Sequence, residues 1–154
     1  MGQGENYYWV TVGKTLQENY ETALSHGVWG VDSKYRARIE PVKEGDFIVF
    51  YGREIGFSEC QILGPCYEDR KRVWADEVYP YRVKIGPPLR HSRRTSLNDV
   101  YRSLLDPEGR PYNNVNAAGR AIGGAAGVFR PLSPRERGQL FTLLGWPVNG
   151  DGGE

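Results

Sequence analysis

The chain is short of the side chains that do redox, metal and sulfur chemistry: 154 residues include two cysteines, two histidines and one methionine. Cys60 and Cys66 flank a Leu63-Gly64-Pro65 turn, and His26 and His91 lie far from each other along the chain. Together they match no zinc spacing, so no metal and no cofactor is expected. Disulfides are not required either, because a domain of this length buries roughly two thirds of the surface its unfolded chain exposes. Long apolar runs are missing too. Phe47 to Tyr51 is among the longest, far short of the roughly 20 residues that cross a bilayer, which argues against a membrane role. The N-terminal MGQGENYY lacks both the basic start and the apolar stretch of a secretion signal, so the cytoplasm is the expected location.

Catalytic strings are absent as well. No serine, cysteine or lysine is flanked by a partner that would activate it, and neither histidine sits in a recognisable catalytic pattern. Val12-Gly13-Lys14-Thr15 mimics the end of a phosphate-binding P-loop, but the first glycine of that pattern would fall on Tyr8. Nucleotide hydrolysis is therefore not expected, although Gly13 and Lys14 at a helix N-terminus suit a single phosphate or a polar base edge. The carboxylate pairs Glu68-Asp69 and Asp76-Glu77, beside Arg70, Lys71 and Arg72, read as a charged turn rather than an acid–base pair. Gly124-Ala125-Ala126-Gly127 resembles a backbone-clamping glycine turn of RNA modules, but close helix packing is the better reading of so short a match. The chain reads as a binding module and not an enzyme.

What it has instead is glycine, aromatics and an uneven charge. Residues 1–80 carry a net −4, residues 81–137 a net +7 and residues 138–154 a net −2, summing to +1. Arg82, Lys84, Arg90, Arg93 and Arg94 fall in one cluster that suits phosphates, though a solvated face is the plainer reading. Four tryptophans and ten tyrosines are generous for this length. Trp29 lies between Val28 and Gly30, and Trp74 lies next to basic residues outside any clean strand or helix. Two readings stand for this pair: each indole caps a core, or the two sandwich a flat ring, since base–aromatic stacking is worth about 1–3 kcal/mol per base.

Periodicity predicts strands at Tyr7 to Val12, Phe47 to Tyr51, Ile55 to Leu63 and Tyr81 to Ile85, with a short extended piece at Val28 to Val31. A capping box, Thr15 with Glu18, predicts a helix from Leu16 to about His26 that Gly27 ends. Leu97, Val100, Tyr101, Leu104 and Leu105 mark a second helix. Ser133-Pro134-Arg135-Glu136 opens a third, ended by Gly145. Short strands interrupted by helices predict an α+β fold, a small mixed β-barrel with flanking helices.

The ordered set Tyr8-Trp9-Val10, Gly27-Val28-Trp29-Gly30-Val31, Gly45-Asp46-Phe47-Ile48-Val49-Phe50-Tyr51, Trp74 and Tyr79-Pro80-Tyr81-Arg82-Val83-Lys84-Ile85 resembles the EVE domain family. That family is PUA-like and related to YTH domains. The resemblance covers Tyr7 to about Ile85 well and the C-terminal helices loosely. It implies one EVE/PUA-like domain over 1–147 and a flexible tail over 148–154. It further implies a module that flips a modified base, N6-methyladenine or a modified cytosine, into an aromatic cage.

In that picture Trp29 and Trp74 face each other as cage walls, and Asn19 hydrogen-bonds the base edge. Gly13 and Lys14 contact the base, and either Tyr79 or Tyr8 supplies a third wall or the cage is two-sided and tuned to a cytosine modification. Lys14, Arg53 and Arg82 hold phosphates. The implied partner is modified DNA or RNA, with a separate nuclease or motor protein to act on it. A PUA-like RNA-binding domain indifferent to modification is the alternative.

Overall fold

The computed structural model describes residues 6–12, 17–52, 55–92, 96–123 and 129–147. The chain runs β1 (Tyr7–Val12), α1 (Gln17–His26), β2 (Val28–Val31), a 3-10 turn (Ser33–Tyr35), α2 (Arg36–Ile39), β3 (Phe47–Gly52), β4 (Gly56–Gln61) and β5 (Tyr67–Glu68). It continues through β6 (Tyr81–Lys84), β7 (Arg90–Ser92), α3 (Leu97–Ser103), α4 (Val115–Gly123), β8 (Arg130–Leu132) and α5 (Pro134–Leu144). Thr15, Leu16 and the Gly124 to Gly127 turn, with the 148–154 tail, lie outside the described residues.

Two sheets form. The larger has the order β7-β4-β3-β1-β8 and the smaller β2-β6-β5. At the centre of the larger sheet β1 and β3 pair in parallel, Tyr7 opposite Phe47 and Val12 opposite Gly52. Parallel neighbours need a long crossover, here supplied by α1, β2 and α2. Alternation along β1 sends Tyr8, Val10 and Val12 to one core and Tyr7 and Trp9 to another. Both faces of β1 and β3 are covered, which is why each reads as an almost unbroken apolar run instead of an in-out alternation.

On one face α3 and α5 close a core of Tyr7, Trp9, Phe47, Val49, Phe57, Leu140 and Phe141. The α5 start is built as its sequence predicts: the Ser133 hydroxyl accepts from the Glu136 N–H at 3.1 Å, and the Glu136 carboxylate accepts from the Ser133 N–H at 3.0 Å. Gly145 ends the helix at φ +75°, a left-handed conformation that favours glycine. On the other face the smaller sheet and α1 close a second core, where the Tyr20 hydroxyl reaches Ser58 Oγ at 2.7 Å. Cys60 and Cys66 are both free thiols, and burial pushes Cys60 up to about 12.

The expected barrel is corrected to two sheets that do not close. They are joined on one side, where Ile62 bridges Ile85, the Leu63 N–H donates to the Lys84 carbonyl at 2.8 Å and the Gly86 N–H to that of Gln61 at 2.9 Å. Closure on the other side would need β2 or β5 to find an open partner. The outer edge of β1 is instead taken by β8, and β5 is two residues long. Among the described residues no helix is long and apolar enough to cross a membrane.

Candidate functional site

The site grows from the packing of the smaller sheet against the loop before β6. In β2, Trp29 lies opposite Val83, and Gly30 opposite Arg82. Gly30 has no room for a side chain: a Cβ there would lie 2.7 Å from the Tyr79 carbonyl oxygen and 3.0 Å from Trp74 Cη2. Its bare backbone lets the loop carrying Trp74 lie directly on the strand. Arg82, 2% exposed, holds that loop in place. Its guanidinium donates to the carbonyls of Tyr79 at 3.0 Å, Val78 at 2.9 Å and Lys71, and it lies 5.3 Å from the centre of the Trp74 ring. A buried guanidinium is tolerated only when its donors are paired in this way.

Trp74 is also pinned from its other end, its indole N–H donating to the Asn19 backbone carbonyl at 3.0 Å. The Asn19 side chain points its nitrogen at Asp76, 3.1 and 3.2 Å from the two carboxylate oxygens. Tyr79 donates its hydroxyl to the same carboxylate at 2.6 Å. Burial first, and then the bond to Asp76, push the Tyr79 hydroxyl above its ordinary range, so it remains a donor. Desolvation alone would raise the Asp76 carboxyl, but the hydrogen bonds from Tyr79, Asn19 and backbone amides outweigh it and hold it below the usual carboxylate range. Tyr79 adopts φ +48°, a left-handed conformation costly for an aromatic residue, which the Arg82 and Asp76 contacts hold in place.

These elements enclose a cavity of about 90 Å³ lined by Asn19, Trp29, Trp74, Tyr79, Tyr35 and Asp32, with Val10 and Thr11 of β1 at one side. In the same measure one water needs about 10–15 Å³, so the space takes several waters or one small flat ring in their place. The two indoles do not face each other. Trp29 and Trp74 meet edge to face, centroids 6.4 Å apart and planes at 76°, and are 6% and 1% exposed. A ring sandwiched between plates needs them parallel and about 7 Å apart, twice the carbon contact distance of about 3.5 Å. The expected slot is therefore corrected to a corner, with Tyr79 edge-on to Trp74 at 5.5 Å and 85° as a further wall.

Two more expected roles are corrected. Tyr8 is buried on the core side of β1 against Phe129, 5.9 Å between centroids, and does not line the cavity. Arg82 is committed to loop carbonyls and is not a phosphate contact. Of its cluster, Arg90 is likewise engaged: it grips the buried Glu59 through two bonds of 2.9 Å and lies 5.0 Å from the Phe141 and Trp146 rings. Lys84 is exposed, while Gly13, Lys14, Arg53, Arg93 and Arg94 lie outside the described residues. Sequence reasoning missed Asp76, Tyr35 and Asp32. Asp76 meets Asn19 across 57 positions, and no local pattern signals such a pair. The 3-10 turn that carries Tyr35 to the cavity does have a signal, Asp32 capping it by accepting from the Lys34 N–H at 3.0 Å.

Solved structures share this architecture. The YTH domain of Zygosaccharomyces rouxii MRB1, in complex with N6-methyladenosine RNA, superposes with a TM-score of 0.61 over 96% of this chain and 90% of that one, at 12% identity. The Toxoplasma CPSF4 YTH domain, in complex with m6A-modified RNA, gives 0.60 over 97% of each chain at 12% identity. The Mmi1 YTH domain with RNA gives 0.57 over 92% of this chain and 78% of that one at 14%. The fold is YTH-like. In sequence, the chain is 35% identical over 96 residues to the UPF0310 protein PH1033 of Pyrococcus horikoshii and 28% identical over 96 residues to PYRAB08750 of Pyrococcus abyssi. Each match spans 52% of this chain and 65% of the relative's length. No family model matches the chain. Among the described residues no group of His, Cys, Asp and Glu is placed to hold a metal ion.

Proposed function

We propose that the chain is a nucleic-acid-binding module of EVE type that takes an unstacked, modified base into the corner formed by Trp29, Trp74 and Tyr79. The observation that carries this reading is the cavity itself: apolar rings on three sides, with the Asn19 amide as a polar group among them, in a YTH-like fold. Two YTH domains of that fold are in complex with N6-methyladenosine or m6A-modified RNA, which favours RNA and a methylated purine. A modified cytosine and a DNA strand remain within the same chemistry.

The energetics suit a corner. Flipping a base out costs a few kcal/mol of stacking and pairing, least in a single strand. One indole face returns about 1–3 kcal/mol by stacking, and an added methyl shielded by the second wall contributes about 1–3 kcal/mol more. Lys14 and Gly13 at the base and Lys14 and Arg53 at the phosphates complete the proposal, replacing the part first given to Arg82. The module does no chemistry; a separate nuclease or motor would act on what it marks, in the cytoplasm.

The test compares binding of short strands, RNA and DNA, carrying adenine, N6-methyladenine, cytosine, 5-methylcytosine or 5-hydroxymethylcytosine. A preference of about tenfold for one modified strand, lost in Trp29→Phe while the melting temperature holds, is the expected result. Equal affinity for every strand removes the reading. The burial of both indoles favours the second reading, a PUA-like RNA module in which they are structural. There, Trp29→Ala unfolds the domain without any selective loss, and unmodified structured RNA competes best.

A further inference from the structure

Asn19 sits at the cavity with its two polar ends unequally engaged. A carboxylate accepts and cannot donate, so the amide end within 3.1–3.2 Å of both Asp76 oxygens must be the nitrogen. The chemistry of Asp76 thus decides which end of the amide is which. Among the described residues the amide oxygen has no hydrogen-bond partner. Trp29 Nε1 alone among the described side chains is both sealed from solvent and unbonded; the Asn19 oxygen, on a residue lining the cavity, is not sealed in that way.

We propose that Asp76 is a positioning residue: it orients the Asn19 amide so that Oδ1 is presented to the ligand as an acceptor, selecting a base whose modified exocyclic amine keeps one N–H. This deepens the base-reading function proposed above and rests on it. The class of ligand is thereby narrowed. A singly methylated amine, on adenine or cytosine, gives its methyl to the indole walls and its N–H to Asn19. A doubly methylated amine has no hydrogen to give and leaves Oδ1 unpaired.

Asp76 is suited to the task by its place at the rim. Its side chain is exposed, so replacing it empties no core, yet it holds Asn19 from α1 and Tyr79 from the loop at once.

The experiment measures dissociation constants by fluorescence anisotropy for single strands in which one base bears an unmethylated, a monomethylated or a dimethylated exocyclic amine, in adenine and cytosine series. In the wild type the monomethyl strand is expected to bind about tenfold tighter than the dimethyl strand, the loss that follows from leaving one buried acceptor unpaired. In Asp76→Ala that ratio falls to about threefold or less, while the preference for monomethyl over unmethylated, made by the indoles, persists. The exchange Asn19→Asp with Asp76→Asn restores the wild-type ratio, since the nitrogen now donates from position 76 and an acceptor still faces the ligand.

A merely structural role for Asp76 would move the melting temperature and weaken all three strands alike, and that result overturns the proposal. So does a monomethyl-to-dimethyl ratio that stays high in Asp76→Ala, which would mark the rejection of the second methyl as steric. A wild type that prefers monomethyl to unmethylated yet accepts dimethyl equally well overturns the role of Asp76 and leaves the base-reading function standing. Equal binding of all three strands in both series removes both.

Discussion

The two faces of the central sheet use aromatic residues in opposite ways. Toward α3 and α5 the rings fill space: Tyr7 stacks on Phe47 at 4.7 Å, Phe141 meets Tyr7 edge-on at 5.2 Å, and Trp9 packs on Phe57 at 5.7 Å. Toward β2 and the Trp74 loop the rings hold space open. Trp29 and Tyr79 each meet Trp74 edge to face, the Trp74 indole N–H bonds the Asn19 carbonyl, the Tyr79 hydroxyl bonds Asp76, and the Arg82 guanidinium lies over the Trp74 ring. Rings of the same size thus either close a core or frame a cavity, depending on whether apolar helices or a polar network backs them.

The largest effect expected from breaking this division is on the filled face. Phe141→Ala should cost about 3–5 kcal/mol of stability, measured by denaturant unfolding, because a fully buried ring leaves a void that α5 cannot close. Ligand affinity of the remaining folded protein should be unchanged. Next is Arg82→Met, expected to cost about 1.5–3 kcal/mol through the carbonyls it leaves unpaired. The salt dependence of nucleic-acid binding distinguishes its role: a phosphate contact would lower the slope by about one on removal, whereas a loop anchor leaves the slope alone and reduces affinity at every salt concentration.

Gly30→Ala sharpens the contrast on the cavity side. The added methyl, 2.7 Å from the Tyr79 carbonyl oxygen, must push the loop away. A cost of about 1–3 kcal/mol in a thermal melt is expected, with a larger fractional loss of base binding than of stability. The smallest effect is on pH. Glu136 is held below the usual carboxylate range: burial opposes this, and the bond from Arg130 together with the Ser133 amide outweighs it. A carboxylate depressed in the folded state adds stability that is present above its unfolded pKa and is lost as pH falls through its folded one. Stability measured at falling pH should therefore decline from about 4.5 downward, and Glu136→Gln should flatten that decline.

The strands with strong aromatic and β-branched character, Tyr7–Val12, Phe47–Gly52 and Gly56–Gln61, and the α5 cap were legible in the sequence because local patterns determine them. The short strands β5, β7 and β8 were not. They exist through pairing with distant strands, and their residues, such as Arg90-His91-Ser92, have no strand character of their own. The same split governs the site. Trp29 could be singled out by its small neighbours and Asn19 through the family resemblance, but the angle between the indoles depends on Gly30 and Arg82 meeting across β2 and β6. Charge misled for a related reason: Arg82 and Arg90 read as part of a surface cluster, while each is spent inside on carbonyls or on Glu59.

The placement of β1 between β3 and β8 also shapes how the chain assembles. One neighbour of β1 lies some forty residues later in the chain and the other more than a hundred and twenty, Tyr7 pairing with both Phe47 and Leu132. Such distant partners are costly to bring together, which slows folding. During synthesis β1 must wait with a bare, aromatic edge until the residues of β8 have emerged. A chaperone that shields such an edge should raise the yield of folded protein most when β8 is delayed.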